Sequence, residues 1–275
     1  MKRRKFIKNS VLSIPAIGLV NYHLFESERF STSIQQITTG PEHHLFGYIG
    51  QSLTIPWNSS GNRLLSLSTP FIDHLPDGNE PASVCLIHTD KTDGKYLKTE
   101  KVDETLGWNP QQGTMFYWNP DNPENQFFFN DRDKKTGKVF TVLYDIKEGK
   151  RIREFKFEDT PVGNGGVCPT GKFFLAINYA RMARLRPVTG YKGTKDWTEG
   201  IRAPKDDGIF KIDYQTGKKE LLVSFTRLET ELIKKGFDTG GESLFINHTL
   251  WNREGNLFCF FARAGWNGQP TRTNV

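Results

Sequence analysis

Three arginines and two tyrosines lie close together in one stretch of the chain. The stretch reads Asn178-Tyr179-Ala180-Arg181-Met182-Ala183-Arg184-Leu185-Arg186, and Tyr191 follows it. An arginine guanidinium donates paired hydrogen bonds to a carboxylate or sulfate, and a tyrosine ring packs on an apolar ligand face. The stretch therefore predicts a surface for an anionic or sugar ligand. The alternative is a short surface helix, because Arg181, Arg184 and Arg186 recur at helical spacing.

Two further polar segments could join this surface. They are Gly107-Trp108-Asn109-Pro110-Gln111-Gln112-Gly113 and Asn130-Asp131-Arg132. Each lies beside a predicted strand, so Gln111, Gln112, Asn130 and Arg132 are expected to line a polar central cleft. In the other interpretation, Asp131 and Arg132 form an ion pair at a strand end, which contributes little to stability.

Histidine and cysteine patterns predict no metal site. The spacings H-x-H, H-E-x-x-H and C-x-x-C are absent from the sequence, although a divalent metal is left open. His44, before the first predicted strand repeat, is a candidate ligand contact, and His248 is a candidate catalytic or structural residue. The three cysteines are widely spaced in apolar runs, which predicts buried free thiols.

Repeated turns indicate which elements hold these residues. The chain is rich in Gly (26), Pro (14) and Phe (21), which is typical of many short strands joined by tight turns. Four segments combine an apolar residue, a turn with Gly or Asn and an apolar run. They begin at Pro56, Tyr117, Val167 and Leu250.

A second repeat alternates with the first one. It consists of a strand, an Asp, two or three residues and a Gly, and its copies are centred on Asp90, Asp145 and Asp213. Such a repeat predicts a hairpin between the outer strands of a propeller blade. We therefore predict an all-β fold, a β-propeller with blades near residues 55–100, 115–157 and 165–226 and a fourth from about 248. A general β-sandwich is the alternative.

The N-terminus carries the pattern of an export signal. Five basic residues fall within the first eight, and an apolar stretch follows from Val11 to Val20. The pair Arg3-Arg4 followed by Phe6 resembles a twin-arginine signal. Residues 1–30 are therefore expected to engage the twin-arginine translocase, and the protein is expected in the periplasm or outside the cell. A basic N-terminus that arose by chance is the alternative.

Charge and hydropathy exclude two broad classes of protein. The net charge is +6, but the signal supplies most of it and the remainder of the chain is near +2. Overall charge thus offers no argument for nucleic acid. A mean hydropathy of −0.55 excludes a polytopic membrane protein.

The order of short motifs over roughly residues 40 to 266 resembles one known family. The motifs are His43-His44 with Phe46-Gly47-Tyr48, Pro56-Trp57, Gly107-Trp108 with Gln111-Gln112-Gly113, Trp118, Asn130-Asp131-Arg132, Asn178-Tyr179-Ala180-Arg181, Gly190-Tyr191, Asp206-Asp207-Gly208-Ile209, and Asn247-His248 with Trp251-Asn252. They look like those of secreted bacterial seven-bladed propellers related to polysaccharide lyases. The propeller ulvan lyases are the nearest group, and oligogalacturonate lyase is more remote.

The resemblance implies β-elimination on an acidic polysaccharide or oligosaccharide. A cation must neutralise the uronate carboxylate, and an acid and a base must transfer protons. Arg181 is the expected neutralising group, and Tyr179, Tyr191 and His248 are expected as acid and base. The substrate contacts are expected from Gln111, Gln112, Asn130, Arg132, Arg184, Arg186 and His44.

The resemblance also leaves the size of the propeller and its activity open. It implies about seven blades, of which residues 31–275 would cover three and a half to four, in a protein expected to be a monomer. Gln111, Gln112 and Asn130 stand where such lyases carry histidine. The alternative is therefore a propeller without catalytic activity that binds a glycan or another protein.

Overall fold

The structure, a computed structural model, describes residues 34–47, 54–90, 92–265 and 273–274 of the chain. The predicted export signal lies outside the described residues. All the elements below belong to the unit Ile37–Val275.

The fold is all-β, and its four antiparallel sheets follow one another along the chain. Sheet 1 contains β1 (His43–Leu45), β2 (Arg63–Thr69), β3 (Ala82–Thr89) and β4 (Tyr96–Thr105). Sheet 2 contains β5 (Tyr117–Trp118), β6 (Gln126–Arg132), β7 (Val139–Asp145) and β8 (Lys150–Phe155). Sheet 3 contains β9 (Gly163–Val167), β10 (Phe173–Ile177), β11 (Gly208–Asp213) and β12 (Lys219–Ser224). Sheet 4 contains β13 (Phe245–Trp251), β14 (Phe258–Ala264) and β15 (Thr273–Asn274).

Strands in the middle of the sheets are buried on both faces, because each sheet packs on the next. Side chains alternate between faces along a strand, and strand β6 shows the result clearly. Phe127 and Phe129 pack in the apolar cluster between sheets 1 and 2. Phe128 points the other way, into the cluster between sheets 2 and 3. Sheets 3 and 4 share a third cluster that includes Leu175 and Phe245.

The first sequence repeat is confirmed as a repeated turn. In sheet 1, the side-chain Oδ1 of Asn58 accepts hydrogen bonds from the backbone N–H groups of Asn62 and Arg63. In sheet 4, Asn252 accepts the equivalent bonds from Asn256 and Leu257. Each turn contains a glycine with a left-handed backbone, such as Gly61 with φ 70°, a conformation that costs glycine little.

The second repeat is confirmed as the hairpin between the third and fourth strands of a sheet. Asp213 begins the hairpin of sheet 3, and its Oδ1 accepts hydrogen bonds from the N–H groups of Gln215 and Thr216. The N–H of Gly217 donates to the carbonyl of Asp213 and closes the turn. The outer strand β8 that follows such a turn in sheet 2 alternates between exposed and partly buried residues, as suits a solvated sheet edge.

A long segment separates β10 from β11. It contains helix α1 (Tyr179–Leu185), whose N-terminus is capped by Asn178, and a 3-10 turn at Pro187–Thr189. We call residues 178–207 the insertion. A second helix, α2 (Phe225–Lys234), follows sheet 3.

One expectation about the cysteines is wrong. Cys85 and Cys168 are buried, as predicted, but Cys259 is exposed. Its neighbours Phe258 and Phe260 pack against the apolar cluster that sheets 3 and 4 share. Cys259 therefore lies on the opposite, exposed face of β14. Within the described ranges, no helix is long and apolar enough to cross a membrane.

Replacing Phe128 with alanine tests how far the sheets depend on one another. Phe128 is fully buried between sheets 2 and 3, so Phe128→Ala should lower the free energy of unfolding by about 3–5 kcal/mol. Urea unfolding followed by circular dichroism measures this change. Phe237→Ala removes the same atoms from a side chain that is 44 % exposed and serves as the control. Equal losses in the two variants would contradict the packing described here.

Candidate functional site

A cavity lies where strands of sheets 2, 3 and 4 meet the segment that follows β1. Its volume is about 30 Å³, and it opens to solvent. It has room for a water molecule or one ligand substituent. The lining residues that matter for its chemistry are Gln112, Met115, Tyr117, Tyr179, Asn247 and His248.

A pair of buried amides forms the polar wall of this cavity. The Nε2 of Gln112 donates to the Oδ1 of Asn247 at 3.1 Å. The Nδ2 of Asn247 is buried and has no hydrogen-bond partner among the described residues, although the residue is only 1 % exposed. An unpaired buried donor costs about 1–3 kcal/mol. A polar ligand atom in the cavity would remove this cost. The same holds if both amide groups are turned over, because the Asn247 side chain then has an oxygen without a partner instead of a nitrogen.

The loop around Asn109 holds Gln112 at the cavity. The Oδ1 of Asn109 accepts hydrogen bonds from the backbone N–H groups of Gln111 and Gln112. Gly113 then turns the chain with φ 63°, and a Cβ there would lie 2.4 Å from the carbonyl oxygen of Phe46. The glycine is therefore required where this loop passes against the segment after β1.

His248 lies in a strained part of the cavity wall. The pairing of β13 with β14 shifts register between Asn247 and Leu250, and within this bulge His248 has φ 55°. Met115, which also lines the cavity, has φ 57°. They are two of the three non-glycine residues with positive φ in the described chain. Left-handed residues cost free energy and cluster at functional sites.

The electrostatic environment of His248 is positive. Burial, together with the charges of Arg263 and Arg186, lowers the pKa of His248 to about 4. The imidazole is therefore neutral at pH 7 and can donate or accept a hydrogen bond. An anion placed beside His248 would be stabilised by the same two arginines.

Tyr179 and Tyr191 belong to a buried polar network behind the cavity. Their rings stack with centroids 4.4 Å apart, and both are fully buried. The Tyr179 hydroxyl donates to the carbonyl of Asn164 at 2.9 Å, and Asn130 Nδ2 donates to the Tyr191 hydroxyl at 3.0 Å. Burial raises the pKa of both tyrosines well above the usual value, so both remain protonated at neutral pH.

The Arg181 side chain is enclosed by other parts of the protein. The side chain is fully buried, and its Nε donates to the carbonyl of Leu244 at 2.6 Å. Its two terminal nitrogens donate to Thr198 Oγ1 and to the carbonyls of Ile201 and Arg202. The expected role as a neutralising cation is thus not supported. The alternative of an exposed helix is no better, because Arg181 lies on the buried side of α1.

The remaining predicted contacts are scattered. Arg132 donates to the carbonyls of Gly78 and Gly193, and so ties the insertion to the loop before β3. Arg184 pairs with Asp196 at 2.9 Å. Gln111 is exposed, and His44 pairs with Ser66 on the neighbouring strand. The structure therefore places Gln112, Tyr179 and His248 at the cavity but not these four residues.

Sequence reasoning missed several residues of the site. The sequence motifs indicate Asn247 only as the neighbour of His248, and no motif indicates Met115 or Arg263. Asn247 does carry a signal, because an Asn next to a His in a mainly apolar strand is a buried polar residue that needs a partner. Within the described ranges, no group of three or more His, Cys, Asp or Glu residues could hold a metal ion.

The insertion also carries a buried carboxyl group. Burial raises the pKa of Asp207 to about 7, although the Nδ2 of Asn178 donates to it at 2.8 Å. The same Nδ2 donates to Asp196 at 3.0 Å. Burial acts against ionisation of Asp196 too, but its hydrogen bonds with Thr198 and Arg184 outweigh burial and lower the pKa of that group.

Stability should therefore depend on pH through Asp207. The pKa of Asp207 is near 3.8 in the unfolded chain and about 7 in the folded protein. Its contribution to the free energy of unfolding is therefore greatest below pH 3.8 and is lost as the pH rises towards 7. In the wild-type protein, the free energy of unfolding should fall by an amount on the order of 3 kcal/mol from pH 4 to pH 7 because of this group, and Asp207→Asn should abolish that fall. Urea unfolding across this range measures it. Asp196→Asn should instead cost stability at pH 7, and an unchanged pH profile in Asp207→Asn would contradict the assignment.

The comparisons with known proteins provide no family. No protein-family model matches the chain, and no curated protein matches it. Among solved structures, the chain is similar to a puromycin-hydrolyzing peptidase of Mycobacterium tuberculosis, with 12 % identity and a TM-score of 0.30. The match covers 79 % of this chain and 34 % of the peptidase, so the chain spans about a third of that protein's length.

Proposed function

We propose that this chain is an exported β-propeller that binds an acidic saccharide at the cavity and does not cleave it. The observation that carries the proposal is the buried, unpaired Nδ2 of Asn247 beside a neutral His248 in a positive field. A sugar supplies both groups that such a site would take, a hydroxyl for the amide and a carboxylate for the cations.

The order of the sheets supports the propeller. Each of sheets 1 to 3 is a four-stranded antiparallel meander, and each shares an apolar cluster with the sheet that follows it. The first strands of sheets 2 and 3 and β13 of sheet 4 contribute residues to the same cavity. Blades arranged around a common axis have these properties.

The position of Arg181 argues for binding rather than elimination. Elimination needs a cation on the uronate carboxylate while the proton beside it is removed. The guanidinium of Arg181 is held by four oxygen atoms of the protein. The Tyr179 hydroxyl likewise donates its proton to the Asn164 carbonyl. Both groups therefore already have hydrogen-bond partners within the protein.

Export is proposed from the sequence of residues 1–30 alone. The basic residues Lys2 to Lys5 and the apolar stretch after them support a twin-arginine signal. The twin-arginine translocase would then be a transient partner of the chain.

Calorimetry with methyl glucuronide, galacturonide and iduronide tests the binding. At least one uronide should bind, and the neutral methyl glucoside should bind about tenfold more weakly, because it lacks the carboxylate. Asn247→Ala should weaken uronide binding about fivefold or more. If no uronide binds to correctly folded protein, the proposal is rejected.

A matched pair of arginine variants tests the role of charge in this binding. Arg263→Gln removes a cation whose charge acts on His248 and should weaken uronide binding while leaving glucoside binding unchanged. Arg253→Gln removes the same charge from the exposed turn between β13 and β14 and should have little effect. Equal effects of the two variants would mean that only net charge matters.

Ultraviolet absorbance of an unsaturated uronyl product tests the enzymatic alternative. With ulvan, pectate, alginate and glycosaminoglycans as substrates, we expect no rise in absorbance, because the N–H groups of Arg181 donate to protein carbonyls. A rise with one polymer that is lost in His248→Gln, but not in His88→Gln, would favour a lyase instead. His88 is a suitable control because it pairs with Glu100 on the outer part of sheet 1.

A further inference from the structure

An open groove continues the cavity along the inner strands. It is about 310 Å³ and shares Thr54 and Tyr117 with the cavity. On β9, the cavity is lined by Gly165, whereas the groove is lined by Val167, farther along the same strand. The groove and the cavity are therefore neighbours, with Thr54 and Tyr117 between them.

Two tryptophans form the walls of the groove. Trp57 is 44 % exposed, and its backbone is fixed by a β-bridge with Leu64. The indole N–H of Trp118 donates to the carbonyl of Pro56 at 2.9 Å, which fixes the second ring. Three prolines complete the rim, namely Pro120, Pro123 and Pro169. Rigid aromatic walls lose little conformational entropy when a ligand binds.

The polar groups at the rim are already engaged within the protein. Asn58 Nδ2 donates to Glu124 at 2.9 Å, and Ser59 Oγ donates to the same carboxylate at 2.8 Å. The groove therefore offers a surface for stacking rather than hydrogen bonds. A pyranose ring fits this chemistry, because its C–H face can lie on an indole while its hydroxyls remain in water.

We infer that the groove binds the sugar unit next to the acidic unit in the cavity, an inference that rests on the proposed function. Thr54 and Tyr117 line both spaces, so neighbouring units of one oligosaccharide would lie against adjacent surfaces. The protein is thus expected to recognise an internal part of a polysaccharide. The cavity would recognise the charge of one sugar unit, and the groove would recognise the ring of the next. A monosaccharide would place one polar substituent in the cavity and leave the tryptophan walls of the groove uncovered.

The test compares a methyl uronide with its tetrasaccharide. The wild-type protein should bind the tetrasaccharide more tightly, and Trp57→Ala should lower tetrasaccharide affinity about fivefold to tenfold while leaving monosaccharide affinity unchanged. Trp57→Phe, which keeps an aromatic ring, should retain most of the gain. Tryptophan fluorescence should change with the tetrasaccharide but not with the monosaccharide. Ile72→Ala, at an apolar residue that is also exposed but lies outside the groove, is the control.

The outcomes separate the two proposals. If Trp57→Ala binds both ligands as the wild type does, the groove is not a subsite, although the proposed function stands. If the wild type binds no uronide of either length, both proposals fail. A proline-rich peptide whose binding depends on Trp57, with no effect of Trp57 on saccharide affinity, would assign the groove to peptide recognition and overturn the inference.

Discussion

The hydrogen bonds of Arg181 hold together the parts of the protein that surround the cavity. A buried guanidinium is costly unless its N–H groups are satisfied. Here they reach the segment before sheet 4 at Leu244 and the far end of the insertion at Ile201 and Arg202.

The ring of Phe225 at the start of α2 covers the same guanidinium at 4.5 Å. Burial lowers the pKa of Arg181, and the nearby carboxyl groups of Asp207 and Asp196 act against this effect. Helix α1 is thereby fixed, and Tyr179 with it.

Contrasting degrees of hydrogen bonding distinguish the structural network from the proposed binding site. Asn130 and Asn164 use their amides in bonds to backbone and side-chain groups, and this satisfied network stabilises the junction of sheets 2 and 3. Asn247 uses only its oxygen. Polar residues that are equally buried thus differ in what they can offer a ligand.

Local patterns in the sequence predicted the elements better than the site. The turns at Asn58 and Asn252 and the hairpin at Asp213 follow from short motifs, since turn conformation is set by a few neighbouring residues. The burial of Arg181 depends on carbonyls 20 or more positions away in the chain, such as Ile201 and Leu244. Sequence spacing carries no information on such partners. For the same reason, the arginine-rich sequence of α1 predicts a ligand surface, whereas Arg181 supports the fold.

The contiguity of each sheet in the chain has a consequence for the order of folding. Most strand pairs join neighbours along the sequence, so each meander can form from local contacts and dock on the one before it, as in repeat proteins. The insertion is the exception. Asn109 binds it from the loop between sheets 1 and 2, and Arg132 binds it from the end of β6, while Arg181 binds it to the edge of sheet 4. It can reach its final conformation only after all three surfaces exist. Closure of the cavity is therefore expected to be the last step of folding, and reopening it the first step of unfolding.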